Sequence, residues 1–270
     1  MNYSIRFNSL NELCKYLDNT PQRKIWRDEY FESGYQSTCN DKEFTGTESM
    51  EEARALLSGG WVGGLKMLAP LLRVPTHYQQ TKKTRTILGR VGGCVSVPAY
   101  RAGSDRCFYS IKRQNSGRVV DIVYNCSVHS GVATNEIVTQ TAKIYNVVRS
   151  IESAGTRCNL WVVNFTKRGT KYSYIATKIK DSDEAFSALK YAFCVIHPSF
   201  LRRLMFAVKE RYLPVMFSGY GDVMSGNEQP EEFAEGLKLL HINTTPKKVL
   251  DYEQLCGLSE NDILSKLLCD

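Results

Sequence analysis

The sequence predicts an α/β fold: a mostly parallel sheet flanked by helices, preceded by a mainly helical N-terminal region. Three observations carry this. The first third of the chain holds helix-start signals and helical spacing of apolar residues. From about Gly117, apolar runs of strand length alternate with amphipathic helical runs. The first of those runs, Val119 to Tyr124, is apolar except for Asp121, the pattern of a strand covered on both faces. With 270 residues, 43% of them hydrophobic and 23% charged, the chain has enough apolar material for one large core or two modest ones, which excludes disorder and collagen-like or coiled-coil architectures. The expected division is residues 1–95, helical with a basic loop, and residues 96–270, the α/β domain.

Ser9 lies three residues before Glu12, a capping-box spacing, and Leu10, Leu13, Tyr16 and Leu17 follow on one helical face. Ser49 and Glu52 repeat that signal before Ala53, Leu56 and Leu57, with Gly59-Gly60 as the stop. The polar stretch Gln79 to Thr86, between glycine-rich turns, reads as an exposed loop. After Val119 to Tyr124 comes a polar turn, then a helix capped by Thr134 that runs to Ala154 and stops at Gly155. Leu160 to Phe165 is a strand, joined through Lys167-Arg168-Gly169-Thr170 to Tyr172 to Ile179 as a hairpin. Asp181 and Glu184 mark the next helix start, with Phe186, Leu189, Phe193 and Ile196 as its buried stripe. Pro198 opens another helix, in which Leu201, Leu204, Met205 and Val208 face inward and Arg202, Arg203 and Lys209 face out. Leu239 to Asn243 suits a late strand, and Ser259 to Leu268 a terminal helix.

Charge is unevenly spread. Residues 71–120 carry ten Lys or Arg and one acid, a net of +9, whereas residues 221–270 carry ten acids and four lysines, a net of −6. A basic middle and an acidic end imply either electrostatic pairing within or between subunits, or a basic face left for a polyanion. The longest apolar stretch, Leu65 to Leu72, contains Lys66 and Pro70 and falls well below the roughly 18 residues of a membrane span, so no membrane partner is expected. The N-terminal residues lack a secretory pattern. Nine cysteines without a Cys-x-x-Cys pair imply reduced thiols in a cytosolic setting.

No phosphate-loop, zinc-protease or hydrolase-elbow motif is present in the sequence. Cys126 follows a strand, with His129 three residues on and His197 farther along, but nothing in the sequence brings a base within reach of the thiol. A buried structural cysteine is the plainer reading, and no catalytic residue is expected. Lys82, Lys83, Arg85, Arg90, Arg101, Arg106, Lys112 and Arg113 share the basic segment with Tyr78, Tyr100, Phe108 and Tyr109. Cations that neutralise phosphates beside rings that stack on bases form the composition of a single-strand nucleic-acid binder. The bland alternative is a solvated basic surface with its aromatics in the core.

The order of strand, hydroxyl-rich turn, long helix, hairpin and further helices over Arg118 to Ile242 resembles a von Willebrand factor A domain. That resemblance implies a first strand ending in Asp-x-Ser-x-Ser, whose oxygens help to hold Mg²⁺ and leave a position for a partner's carboxylate. The matching positions here are Asn125, Ser127 and His129, and only Ser127 keeps the family pattern. Losing the carboxylate and gaining a nitrogen weakens a site for a hard cation, so the turn is degenerate and no cofactor is expected. Val97 to Gly103, Tyr124 to Ser127 and His197 to Arg203 also look like a family of uncharacterised tailed-bacteriophage proteins with such a C-terminal domain. This resemblance implies a host bacterial cytoplasm or a virion as the setting. Two functions follow as expectations. One is a non-enzymatic protein that binds a protein partner or itself; the other is an RNA or single-stranded DNA binder using residues 71–120.

Overall fold

The computed structural model describes residues 1–23, 36–73, 84–89, 93–113, 119–128, 132–214, 220–224 and 229–268. The chain opens with a strand, β1 (Asn2–Phe7), where only helices were expected. Helix α1 (Leu10–Asn19) starts as the capping box predicts: Ser9 accepts from the Glu12 amide, and the Glu12 carboxylate accepts from the Asn8 amide at 2.6 Å. Helices α2 (Lys42–Thr45) and α3 (Met50–Gly59) are capped by Asp41 and Ser49. Gly60 ends α3 at φ +83°, where an added Cβ would also fall 2.4 Å from Leu189 Cβ, so glycine is required twice over. Helix α4 (Val62–Leu68) follows.

A small antiparallel sheet comes next, built from β2 (Thr84–Gly89), β3 (Cys94–Val95) and, after helix α5 (Val97–Arg101), β4 (Phe108–Arg113), in the order β2-β4-β3. Of the exposed loop expected over residues 79–86, Thr84 to Thr86 are strand, and residues 79–83 lie outside the described residues. Neither hydrophobic core contains a described residue of this small sheet.

The main sheet is formed by β5 (Val119–Asn125), then, beyond helix α6 (Thr134–Ser153), the long β6 (Arg157–Arg168) and β7 (Lys171–Lys180). Helix α7 (Ala188–Ile196), a π-turn at Phe200–Met205 and helix α8 (Phe206–Tyr212) lead to the short β8 (Asp222–Val223). Helices α9 (Pro230–Leu239), α10 (Tyr252–Gly257) and α11 (Glu260–Leu268) complete the chain.

This sheet corrects the predicted architecture. Its order is β1-β7-β6-β5, with β8 also on β6. The pairs β1·β7 and β5·β6 are parallel and β6·β7 and β6·β8 antiparallel; counting the small sheet, four of the six strand pairings are antiparallel. The fold is α/β with a mixed sheet, not a mostly parallel von Willebrand factor A-like one. The β6·β7 pair is the hairpin that the sequence itself predicts, where Gly169, at φ +56°, turns the chain straight back; what the local signals do not give is that β1 joins β7 and that β5 stays at the margin. Nor is Val119 to Tyr124 central, since among the described residues β5 forms the margin, closed by a bridge between Tyr124 and Leu250.

Three boundaries also move. Helix α7 starts at Ser187, which accepts from the Lys190 amide, while Asp181 pairs with Lys178 at 2.7 Å. Ala133 and not Thr134 is the N-cap of α6, and it makes no side-chain bond. Leu239 to Asn243 is the end of α9 and a turn with His241 at φ +51°, not a strand.

Apolar residues alternate across β6 and bury both of its faces. Leu160 and Val162 join a core that also holds Leu13, Leu57, Ile122 and Phe193. Trp161, Val163 and Phe165 meet Phe233 and Leu237 of α9 on the other side. Because the first core mixes residues from both sides of position 95, and β1 pairs with β7, the sequence division at residue 95 is not a break in the packing.

Gly236 lets α9 lie close to the sheet. A Cβ there would stand 2.6 Å from Tyr174 Cδ1 and 3.1 Å from Phe165 Cε2, atoms of rings wedged together at 5.1 Å between centroids. Gly236→Ala is therefore expected to destabilise the protein by about 1–3 kcal/mol despite alanine's better helix propensity, read as a lower urea midpoint with an unchanged slope.

Candidate functional site

The carboxyl ends of β5 and the parallel part of β6 lie at the same end of the sheet. β5 pairs with β6 as far as Val163, and β8 takes its place at Thr166. Between these contacts lie Asn164 and Phe165, and alternation turns Asn164 and Thr166 to the face that carries α8. A crevice of about 370 Å³ opens there, lined by Ser127, Asn164, Thr166, Arg202, Lys209 and Asp222 among others. A second, of about 260 Å³, shares Val128, Leu201 and Arg202 with it and reaches Cys126, Cys194 and His197.

Lys209 is among the residues that line the first crevice. Its side chain is fully buried, and Nζ donates to Thr166 Oγ1 at 2.8 Å and to the Tyr220 carbonyl at 2.7 Å. Among the described residues no carboxylate forms an ion pair with it. Burial without a counter-ion pushes its pKa down to about 7. Sequence reasoning places Lys209 and Arg203 on the outer face, and both are buried. The helix around them is enclosed on nearly every side, so its cations bury with acceptors instead of pointing to water: Arg203 donates to the Ser37 and Thr47 carbonyls and to the Thr45 and Thr47 hydroxyls. The spacing of four from Leu201 through Met205 to Lys209 was the available signal.

The turn after β5 is used by the backbone. Asn125 Oδ1 accepts from the Ser127 amide at 3.3 Å and its Nδ2 donates to the Met224 carbonyl at 3.0 Å. Ser127 Oγ accepts from Asn164 Nδ2 at 2.8 Å. Both oxygens of the supposed metal turn are thus engaged by protein donors, as in an Asx turn, and His129 lies outside the described residues. Among the described residues no cluster of three His, Cys, Asp or Glu side chains could hold a metal. Burial raises the Cys126 thiol to about 12, far from a reactive thiolate.

Of the basic candidates, Lys82, Lys83 and Arg90 lie outside the described residues. Register sets Arg85 opposite Lys112 and Arg113 opposite Thr84 in the small sheet. Arg101, at the end of α5, and Arg106 are exposed. The basic segment meets the acidic end of the chain through Arg73 and Glu260, 3.9 Å apart and with Arg73 largely exposed, a pair that contributes little. No helix among the described residues is long and apolar enough to cross a membrane.

The chain belongs to the family described as "Domain of unknown function (DUF7192)", whose model matches residues 1–259 and so takes in the N-terminal helices, the small sheet and the main sheet together. No curated protein and no solved structure matches it.

His197, at the rim of the second crevice, links the site to stability. Its ring meets Trp61 edge-on at 4.5 Å, its Nδ1 accepts from the Ser199 amide, and burial pushes its pKa down to about 4. Between that value and the ordinary value near 6.5 the unfolded chain binds more protons than the folded one, so stability falls as pH drops through this window. A loss of about 2–3 kcal/mol by pH 4 is expected from this group, and His197→Phe should remove that part of the pH dependence in urea titrations.

Proposed function

We propose that the protein binds single-stranded nucleic acid through the small antiparallel sheet and helix α5 beside it. The observation that carries this reading is one of placement. Six of the nine large hydrophobic side chains left exposed among the described residues lie between Leu88 and Val119, inside or beside the segment that holds the surplus of positive charge. Tyr100 is 69% exposed and adjoins Arg101, while Tyr109 is 43% exposed, with Leu88 and Cys94 as its register partners on the two flanking strands. Rings held in water beside cations supply base stacking and phosphate neutralisation on one surface, with little dependence on sequence.

The aliphatic members of the patch, Leu88, Val95 and Val97, favour a second reading in which the same surface binds a protein partner or a second copy of the chain. On the likeness to tailed-phage proteins, either ligand would be met in an infected bacterial cytoplasm or in a virion.

Fluorescence anisotropy with labelled oligothymidylate and oligouridylate tests the first reading. Binding at low salt should weaken linearly in log–log form as salt rises, and Tyr100→Ala or Tyr109→Ala should each cost about 1–3 kcal/mol. Arg101→Gln with Arg106→Gln should flatten the salt slope. No anisotropy change at low salt overturns it, and light scattering that shows concentration-dependent association would then favour the second.

A further inference from the structure

We infer that the first crevice is a second, independent site in which Lys209 Nζ attacks the carbonyl carbon of a small 2-oxo acid while Arg202 receives the acid's carboxylate. The location supports this: the crevice lies where parallel β5 and β6 end, the part of an open α/β sheet that presents side chains to ligands. Its volume of about 370 Å³ accommodates an acid of a few carbons.

Four residues of the lining bear on the chemistry. Among the described residues Lys209 Nζ has only neutral acceptors, Thr166 Oγ1 and the Tyr220 carbonyl, so a permanent ammonium would stand there as an uncompensated charge. Arg202, half-buried, donates to the Phe44 carbonyl and lies 4.6 Å from the Phe44 ring centroid; among the described residues no carboxylate is within ion-pair distance of it, and Asp41 acts on its charge only from farther away. Asp222 is the acid of the lining and is exposed, at the mouth. Asn164 is 2% exposed, and its Oδ1 has no hydrogen-bond partner among the described residues, although its Nδ2 is held by Ser127. A buried acceptor of this kind calls for a donor from a ligand.

The step balances without a redox partner. The amine lone pair forms a C–N bond as the carbonyl π bond opens, and one of the two amine protons passes from nitrogen to that oxygen to make the hydroxyl of a carbinolamine, which can donate to Asn164 Oδ1. The C–O bond then breaks, the nitrogen gives up its last proton, and water leaves an imine on Lys209. The lowered pKa of Lys209 leaves a large share of the amine unprotonated near neutral pH.

Reductive trapping on the full chain tests the proposal: the protein is incubated with pyruvate and sodium cyanoborohydride and its peptides are mapped by mass. The expected result is an adduct at Lys209 formed faster than at any surface lysine, with a rate that rises through about pH 7. Acetone, which lacks the carboxylate, should label Lys209 more slowly, and Arg202→Gln should slow pyruvate labelling about tenfold without slowing acetone. Adducts confined to surface lysines in the native protein, with Lys209 modified only after denaturation, overturn it. Equal labelling by pyruvate and acetone overturns the choice of a 2-oxo acid. Mapping of the unaltered chain decides whether Lys209 is the nucleophile even if Arg202→Gln fails to fold.

Discussion

The two-sided burial of β6 is the constraint on which the rest of the structure depends. A strand of twelve residues spans about 40 Å, and covering both of its faces requires a layer of structure above and another below. Helices α1, α3, α6 and α7 supply one layer and α9 the other. Parity then fixes the character of each position. Leu160 and Val162 point into the first core, and the same face delivers Asn164 and Thr166 where the apolar cover ends. The polar crevice is thus a continuation of the core face, set by strand alternation.

Buried charge completes the assembly. Arg203 in the π-turn and Glu210 in α8, about two turns apart, bind the segment around Ser37 to Thr47 from within. Arg203 commits its guanidinium to carbonyls and hydroxyls there, and Glu210 accepts from the Ser37 amide at 3.1 Å and from Gln22 Nε2 at 3.0 Å. Such groups hold their neighbours firmly because removing any one partner strands a charge in a dry interior. The N-terminal helices are fixed to the sheet domain by this network as well as by apolar contact.

Local signals in the sequence are legible where the chain itself supplies the stabilising group. The caps at Ser9 and Ser49, the strand from Val119, the turn at Gly169 and the helix after Ser259 all appear close to where spacing places them. What escapes depends on partners distant in the chain. β1 alternates Tyr3, Ile5 and Phe7, a strand signal, but its partner is Tyr172 to Thr177 and no spacing announces that. Parallel or antiparallel pairing is likewise a property of the whole sheet, so the apolar run of β5 misleads: burial on both faces is compatible with an edge closed by Leu250. For the crevice, the family resemblance singles out Asn125 and Ser127 as a degenerate metal turn, whereas the charge of Lys209 argues for solvent and outweighs its spacing of four from Met205. The surplus of cations between residues 71 and 120 can be counted directly, but the exposure of Tyr100 and Tyr109 within that segment requires the fold.

The pairing of β1 with β7 also has a history in time. During synthesis the first strand leaves the ribosome with no partner, and the residues that will accept it follow about 170 positions later, on the order of ten seconds at ordinary elongation rates. For that interval its unpaired amides and carbonyls, and the apolar side chain of Phe7, are open to any passing edge or chaperone. The nascent chain is therefore most vulnerable to misassociation until the residues up to Thr177 have been made, and the rate of translation becomes one of the determinants of how much protein reaches the native sheet.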